Sequence, residues 1–187
     1  MAEKEIICEE MIEVYTYGIN TIFSFFISFL SIISIGALFN QFFECAVLFL
    51  SFSCLRKFTG GYHAKTSQRC FVLSMATIIL NMILLKFIPI NMMRILSPLF
   101  SVLSMITIFC LTPIDNINKQ IDKIQHKAFR RISIGIASAL VCITFILIFI
   151  NQTKWSFVIS QAMLLDAIML LIVKVNKLKG KMIPMVH

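Results

Sequence analysis

A chain of 187 residues that is 59% hydrophobic and 14% charged, with a mean hydropathy of +0.91, is too apolar for a water-soluble domain. Its net charge of +8 arises from 17 Lys and Arg against 9 Asp and Glu. No basic stripe with interleaved aromatics stands apart from the apolar runs, which argues against a nucleic-acid partner.

The composition predicts an all-α membrane protein, a single integral membrane domain over residues 1–187. Residues 1–19, MAEKEIICEEMIEVYTYGI, place Ile7, Met11, Val14, Tyr15 and Gly18 at helical spacing with Glu3, Glu9, Glu10 and Glu13 mostly on other faces. This pattern predicts an N-terminal interfacial amphipathic helix, lying on the inner leaflet or against basic loops of the same chain. The first long apolar run follows five glutamates and has neither a basic leader nor a small-residue cleavage site, so it reads as a span and not as a signal peptide.

Crossing about 30 Å of hydrocarbon takes about 20 helical residues. Runs of that kind predict six transmembrane helices at about 20–39, 42–55, 71–90, 95–112, 132–150 and 155–173, of which the second is short. Basic residues in short loops stay in the cytoplasm. With both termini cytoplasmic, Lys4, Arg56, Lys57, Lys65, Arg69, Lys119, Lys123, Lys127, Arg130, Arg131, Lys174, Lys177, Lys179 and Lys181 all fall inside. Arg94 and Lys154 fall outside, and Lys86 lies near the outer end of the third span. Glu44 sits near the outer edge and is expected to meet water. Interaction with anionic headgroups accounts for much of the basic surplus.

The 6 cysteines do not suggest a disulfide framework. Cys8 precedes the first span, and Cys45, Cys54, Cys110 and Cys142 fall in or at the ends of spans, where a buried thiol is inert. Cys70 differs, because it follows the stretch GGYHAKTSQR and opens the third span. Thr66 or Ser67 is a natural N-cap there, which places Cys70 in the first turn, near unpaired N–H groups and the positive end of the helix dipole. Lys65 and Arg69 add positive charge, and a stabilised thiolate is the nucleophilic form.

His63 lies seven residues earlier. On one continuous helix the pair is separated by about 10.5 Å of rise, too far for a hydrogen bond, so a Cys–His site requires the loop 56–70 to fold back. Gly60 and Gly61 permit such a bend. From spacing alone, an interfacial histidine beside an ordinary thiol fits as well. A zinc site is poorly supplied, since only His126 joins His63 and Cys70, and no cofactor is called for.

The run R56-K-F-T-G-G-Y-H-A, with a cysteine seven residues after its histidine, resembles the signature of the accessory gene regulator B (AgrB) family, membrane endopeptidases of peptide quorum sensing. The resemblance extends over the whole chain, including the leader, the six apolar runs and the Pro113-x-Asp115 stretch before a basic loop. It implies that His63 and Cys70 are the catalytic pair, with Arg56, Gly60 and Gly61 at flanking motif positions. It also implies a substrate: a short precursor peptide with an amphipathic start and an acidic tail, cleaved at the cytoplasmic membrane edge through a thioester and then closed to a thiolactone. A homodimer is the assembly the family favours. On this reading Lys65, Arg69, Lys119, Lys123, Lys127, Arg130 and Arg131 are candidates to hold the acidic tail.

Asp166 is a carboxylate within the last apolar run, costly in hydrocarbon and so expected to face the bundle interior. Three roles stay open for it: orienting His63, touching substrate, or packing near Asn81 or Gln161. A rival reading of the chain is a small transporter or channel, with Asp166, Lys86 and Asn81 lining its path, and a third is a non-catalytic membrane chaperone or scaffold. No inverted repeat and no paired Gly/Pro-broken helices support the transporter.

Overall fold

A computed structural model describes residues 9–59, 67–112 and 123–178. The described residues form helices α1 (Glu9–Leu38), α2 (Phe42–Thr59), α3 (Ser67–Phe87), α4 (Ile90–Leu111), α5 (Lys123–Phe149) and α6 (Thr153–Leu178). Two of the connections share one device. Asn40 and Asn151 adopt φ of 52° and 62°, a left-handed conformation that asparagine tolerates better than most residues. After α1, the Gln41 N–H bonds the Gly36 carbonyl at 2.8 Å and the Asn40 N–H bonds that of Ala37 at 3.1 Å. After α5, Gln152 bonds Leu147 at 2.8 Å and Asn151 bonds Ile148 at 3.1 Å. Both are Schellman closures, which satisfy the last carbonyls of a helix and reverse the chain in a few residues. Between α3 and α4 the break comes from Pro89, which disfavours helical geometry at Ile88.

The helices outrun the apolar segments from which they were anticipated. Helix α1 is continuous from Glu9 to Leu38, with no interruption between the expected interfacial segment and the first span. Helix α2 continues through Arg56 to Thr59, and α5 begins at Lys123, well before its apolar stretch. Hydropathy marks where a chain can contact lipid, whereas a backbone ladder continues into polar surroundings until a cap, glycine or proline stops it. Among the described residues, three helical segments are long and apolar enough to cross a membrane: Ile90–Leu111, His126–Phe149 and Thr153–Val175. Large apolar side chains cover the outer surface, among them Phe23, Phe26, Leu30, Leu103, Phe109, Phe145 and Ile146. Such a surface is stable only in lipid, so this is a membrane protein.

Helix α6 is central, packing against α2, α4 and α5, with Phe157, Val158, Ala162, Met163 and Leu170 all buried. Helix α4 packs against it and carries a stripe of small residues, Ser97, Ser101 and Ser104, all fully buried. Each hydroxyl is satisfied within its own helix, by the carbonyls of Met93, Pro98 and Phe100. The short side chains let the two backbones approach without stranding a polar atom. Above and below, the interior divides into two apolar clusters. One joins Ile32, Cys45, Leu48, Ile78, Met82, Met93 and Phe157. The other joins Leu55, Ile108, Ala137, Met163 and Leu170.

Helices α2 and α6 run parallel. Near their starts Lys154 pairs with Glu44 at 2.8 Å, so Glu44 is an ion-pair partner and is largely covered, in place of the water contact expected for it. Arg94 and Asn151 meet at the same end of the bundle. At the far end of α2, Thr59 meets Asp166, Phe58 meets Phe129 of α5 at 6.1 Å, and Arg130 lies over Phe109 of α4 at 5.9 Å. The short second helix therefore lies alongside the most buried one for nearly its full length.

Candidate active site

Two ends frame the motif. Thr59 closes α2 and Ser67 opens α3, and the intervening residues 60–66, with Gly60, Gly61, His63 and Lys65, lie outside the described residues, as does Lys119. Cys70 is the fourth residue of α3, so its backbone belongs to the opening turn, where N–H groups have no intrahelical acceptor. Side-chain positions for Arg69, Cys70 and Lys123 are outside the described set.

Asp166 is fully buried on α6, and its Oδ1 accepts a hydrogen bond from Thr59 Oγ1 at 3.1 Å. The same hydroxyl faces the Leu55 carbonyl, also at 3.1 Å, so one hydrogen is shared between two acceptors. The positive charge of Arg56 acts on Asp166 as well. The second carboxylate oxygen, Oδ2, is buried and has no hydrogen-bond partner among the described residues. Leaving such an atom unpaired costs about 1–3 kcal/mol, and more when the group is charged.

The partner of Asp166 is thus Thr59. Asn81 donates to the Thr77 carbonyl of its own helix at 2.7 Å, and neither amide atom of Gln161 has a partner among the described residues. Thr59 was not singled out from the sequence. Its signal was present nonetheless: Arg56 and Thr59 stand three residues apart and so share one face of α2, immediately before the Gly-Gly pair. That α6 supplies the acid opposite that face is visible only in three dimensions.

Of the basic candidates, Arg130 and Arg131 are exposed on α5, and Arg130 lies beside Phe109 close to the end of α2. Lys127 is exposed one turn earlier. The aromatic pair Phe58 and Phe129 ties these cations to the same end of the bundle. Cys45, Cys54, Cys110 and Cys142 are free thiols. Cys45 is packed away, with its sulfur 3.5 Å from the Ile32 carbonyl, and belongs to the apolar cluster distant from the motif.

The described residues offer a cysteine in the opening turn of α3, a buried carboxylate bonded to the last residue of α2, and cations alongside. AgrB-like protein 1 of Clostridium perfringens strain 13 is 26% identical over 165 residues, covering 84% of this chain and 86% of that protein. An AgrB-like protein from another strain of the species is 29% identical over 157 residues, covering 79% and 72%. No solved structure matches. The family model for accessory gene regulator B matches residues 1–170, and the chain therefore belongs to the accessory gene regulator B family, whose membership implies quorum-sensing peptide processing.

Proposed function

We propose that the protein is a membrane cysteine endopeptidase that removes the acidic tail of a short autoinducer precursor and supports its closure to a thiolactone. The observation that carries this reading is the position of Cys70 in the opening turn of α3, directly after the histidine-bearing motif, in a chain matched to the family over nearly its whole length. Six helices cross the bilayer with both termini cytoplasmic. The parallel run of α2 and α6 supports that count, because an odd number of crossings must separate two parallel spans. The motif, the cations of α5 and the end of α2 then share the cytoplasmic edge.

In the reaction His63 takes the Cys70 proton, and the thiolate attacks the carbonyl carbon of the scissile peptide bond. The C–N bond breaks, the imidazolium returns its proton to the departing amine, and the peptide stays on Cys70 as a thioester. A cysteine thiolate within the peptide attacks that carbonyl, forming the ring thioester and releasing Cys70. Exchange of one thioester for another is nearly isoenergetic, so the outcome depends on excluding water, which the membrane edge favours. The precursor's amphipathic start binds lipid, its acidic tail pairs with Arg130 and Arg131, and two copies of the chain form the working unit.

The test is co-expression with a peptide that has an amphipathic start, one internal cysteine and an acidic end. A hydroxylamine-sensitive enzyme–peptide adduct is expected, absent in Cys70→Ser. Continued cleavage by Cys70→Ala, with loss in Cys54→Ala, would assign the chemistry to another thiol.

A further inference from the structure

We infer that Asp166 is a positioning residue for this reaction: from within α6 it holds the last residue of α2, through the Thr59 hydroxyl, and so fixes the point from which the histidine-bearing segment departs. The inference rests on the Cys–His reading above and adds a residue from the far end of the sequence to it.

Three observations carry it. First, Asp166 is fully buried in the helix at the centre of the bundle, in a segment apolar enough to cross a membrane. A carboxylate in that setting is expensive and persists where it serves a function. If α6 needed only to pack against α2, an alanine or serine would suffice, as the fully buried serines of α4 show elsewhere in the bundle. Second, what it grips is the final residue of α2 and not the middle: Thr59 is the last residue of the helix, four before His63. Arg56, one turn back on the same face, adds positive charge near the same carboxylate. A helix end otherwise frays, and a frayed end gives the next residues no fixed origin. Third, the other carboxylate oxygen is buried and takes no donor among the described residues, so the acid keeps accepting capacity at the exit of α2. Because side chains must be held to within fractions of an ångström for proton transfer, a tether at the end of α2 acts on the chemical step more than on substrate affinity.

The experiment uses the full chain in lipid vesicles and a synthetic probe peptide with an amphipathic start, one internal cysteine and an acidic end, reading the single-turnover rate of adduct formation. Asp166→Leu, which removes the acceptor while keeping a similar branched shape, is expected to slow adduct formation at least tenfold, with KM within twofold of the parent and a thermal midpoint no lower than the parent's. Thr59→Val is expected to act similarly, and Thr59→Ser, which keeps the hydroxyl, to stay within twofold of the parent. The double variant Asp166→Leu/Thr59→Val is expected to be no slower than Asp166→Leu alone, since both break one link. Parent-like rates in Asp166→Leu, rate losses that merely follow the loss of folded protein, or independent multiplication of the two effects would each overturn the inference. Cys70→Ser separates this from failure of the enzyme reading: an adduct that survives that change refutes the peptidase and the tether together, whereas a Cys70-dependent adduct indifferent to Asp166 refutes the tether only.

Discussion

The Lys154 ammonium donates to Glu44 Oε1 at 2.8 Å, and this contact fixes the starts of α6 and α2 against each other just as Thr59 and Asp166 fix them further along. Two polar contacts 107 and 110 residues apart in sequence thus set the register of one helix pair. Their strengths differ. Lys154 is about half exposed, at 48%, so water screens its pair with Glu44. Glu44→Gln is expected to lower stability by less than about 1 kcal/mol, with the difference shrinking in high salt. Thermal unfolding in detergent at low and high salt checks this, and peptide processing should be unaffected because the pair lies at the opposite end of α2 from the motif.

The two asparagine turns make a sharper prediction. At φ of 52° and 62°, Asn40 and Asn151 occupy a region that costs ordinary residues about 1–2 kcal/mol. Asn151→Ala is therefore expected to lower stability by about 1 kcal/mol, and Asn151→Gly to leave it equal or raised, because glycine carries no penalty there. The same ordering should hold at Asn40. Comparing alanine and glycine variants by midpoint of thermal unfolding decides it.

Two helical glycines should respond oppositely to the same substitution. A Cβ added at Gly36 would stand 3.1 Å from both Cys45 Cβ and Phe42 Cα, atoms close to the backbone of α2 that have little freedom to move. Gly36→Ala is expected to push α1 from α2 and to destabilise by about 1–3 kcal/mol. A Cβ at Gly135 meets nothing within 4 Å, so Gly135→Ala is expected to stabilise α5 by about 0.5–1 kcal/mol. Unfolding midpoints that move in the same direction would show that the close approach of α1 to α2 is not what Gly36 provides.

The cations of α5 should discriminate substrates by charge. Arg130 and Arg131 are exposed beside the end of α2, where opposite charge attracts and orients a partner. Reversing both, Arg130→Glu with Arg131→Glu, is expected to slow cleavage of a peptide with an acidic tail at least tenfold while changing a neutral-tailed peptide by less than threefold. Equal losses with the two peptides would assign these residues to folding or to lipid headgroups.

Much of this architecture was legible because hydropathy and turn chemistry act locally. The apolar runs located each helix, and the cap-forming residues before Cys70 placed that cysteine near the start of α3, where its backbone lies. Helix ends were less legible, since Lys123 and Arg56 continue helices that hydropathy alone would have stopped. Asp166 was recognisable as a residue that must face the interior, because burial of charge is disfavoured wherever it occurs. Its partner was not. Asn81 and Gln161 were reasonable candidates by depth, yet Asn81 turns to its own helix and Thr59 reaches the acid instead.

The sequence by itself determined that the chain lives in a membrane, roughly where each helix falls, and that a glycine pair, a histidine and then a cysteine follow one another from the end of one helix into the opening turn of the next. These are properties of short segments, fixed by transfer free energies and local backbone preference. Only the tertiary structure decided that α6 occupies the centre, that it runs parallel to α2, and that Asp166 grips Thr59 rather than a neighbour at similar depth. Pairing between residues about a hundred positions apart depends on the rotation and register of whole helices. Those are settled collectively by packing, by the serine stripe of α4 and the close approach at Gly36, and no single segment encodes them.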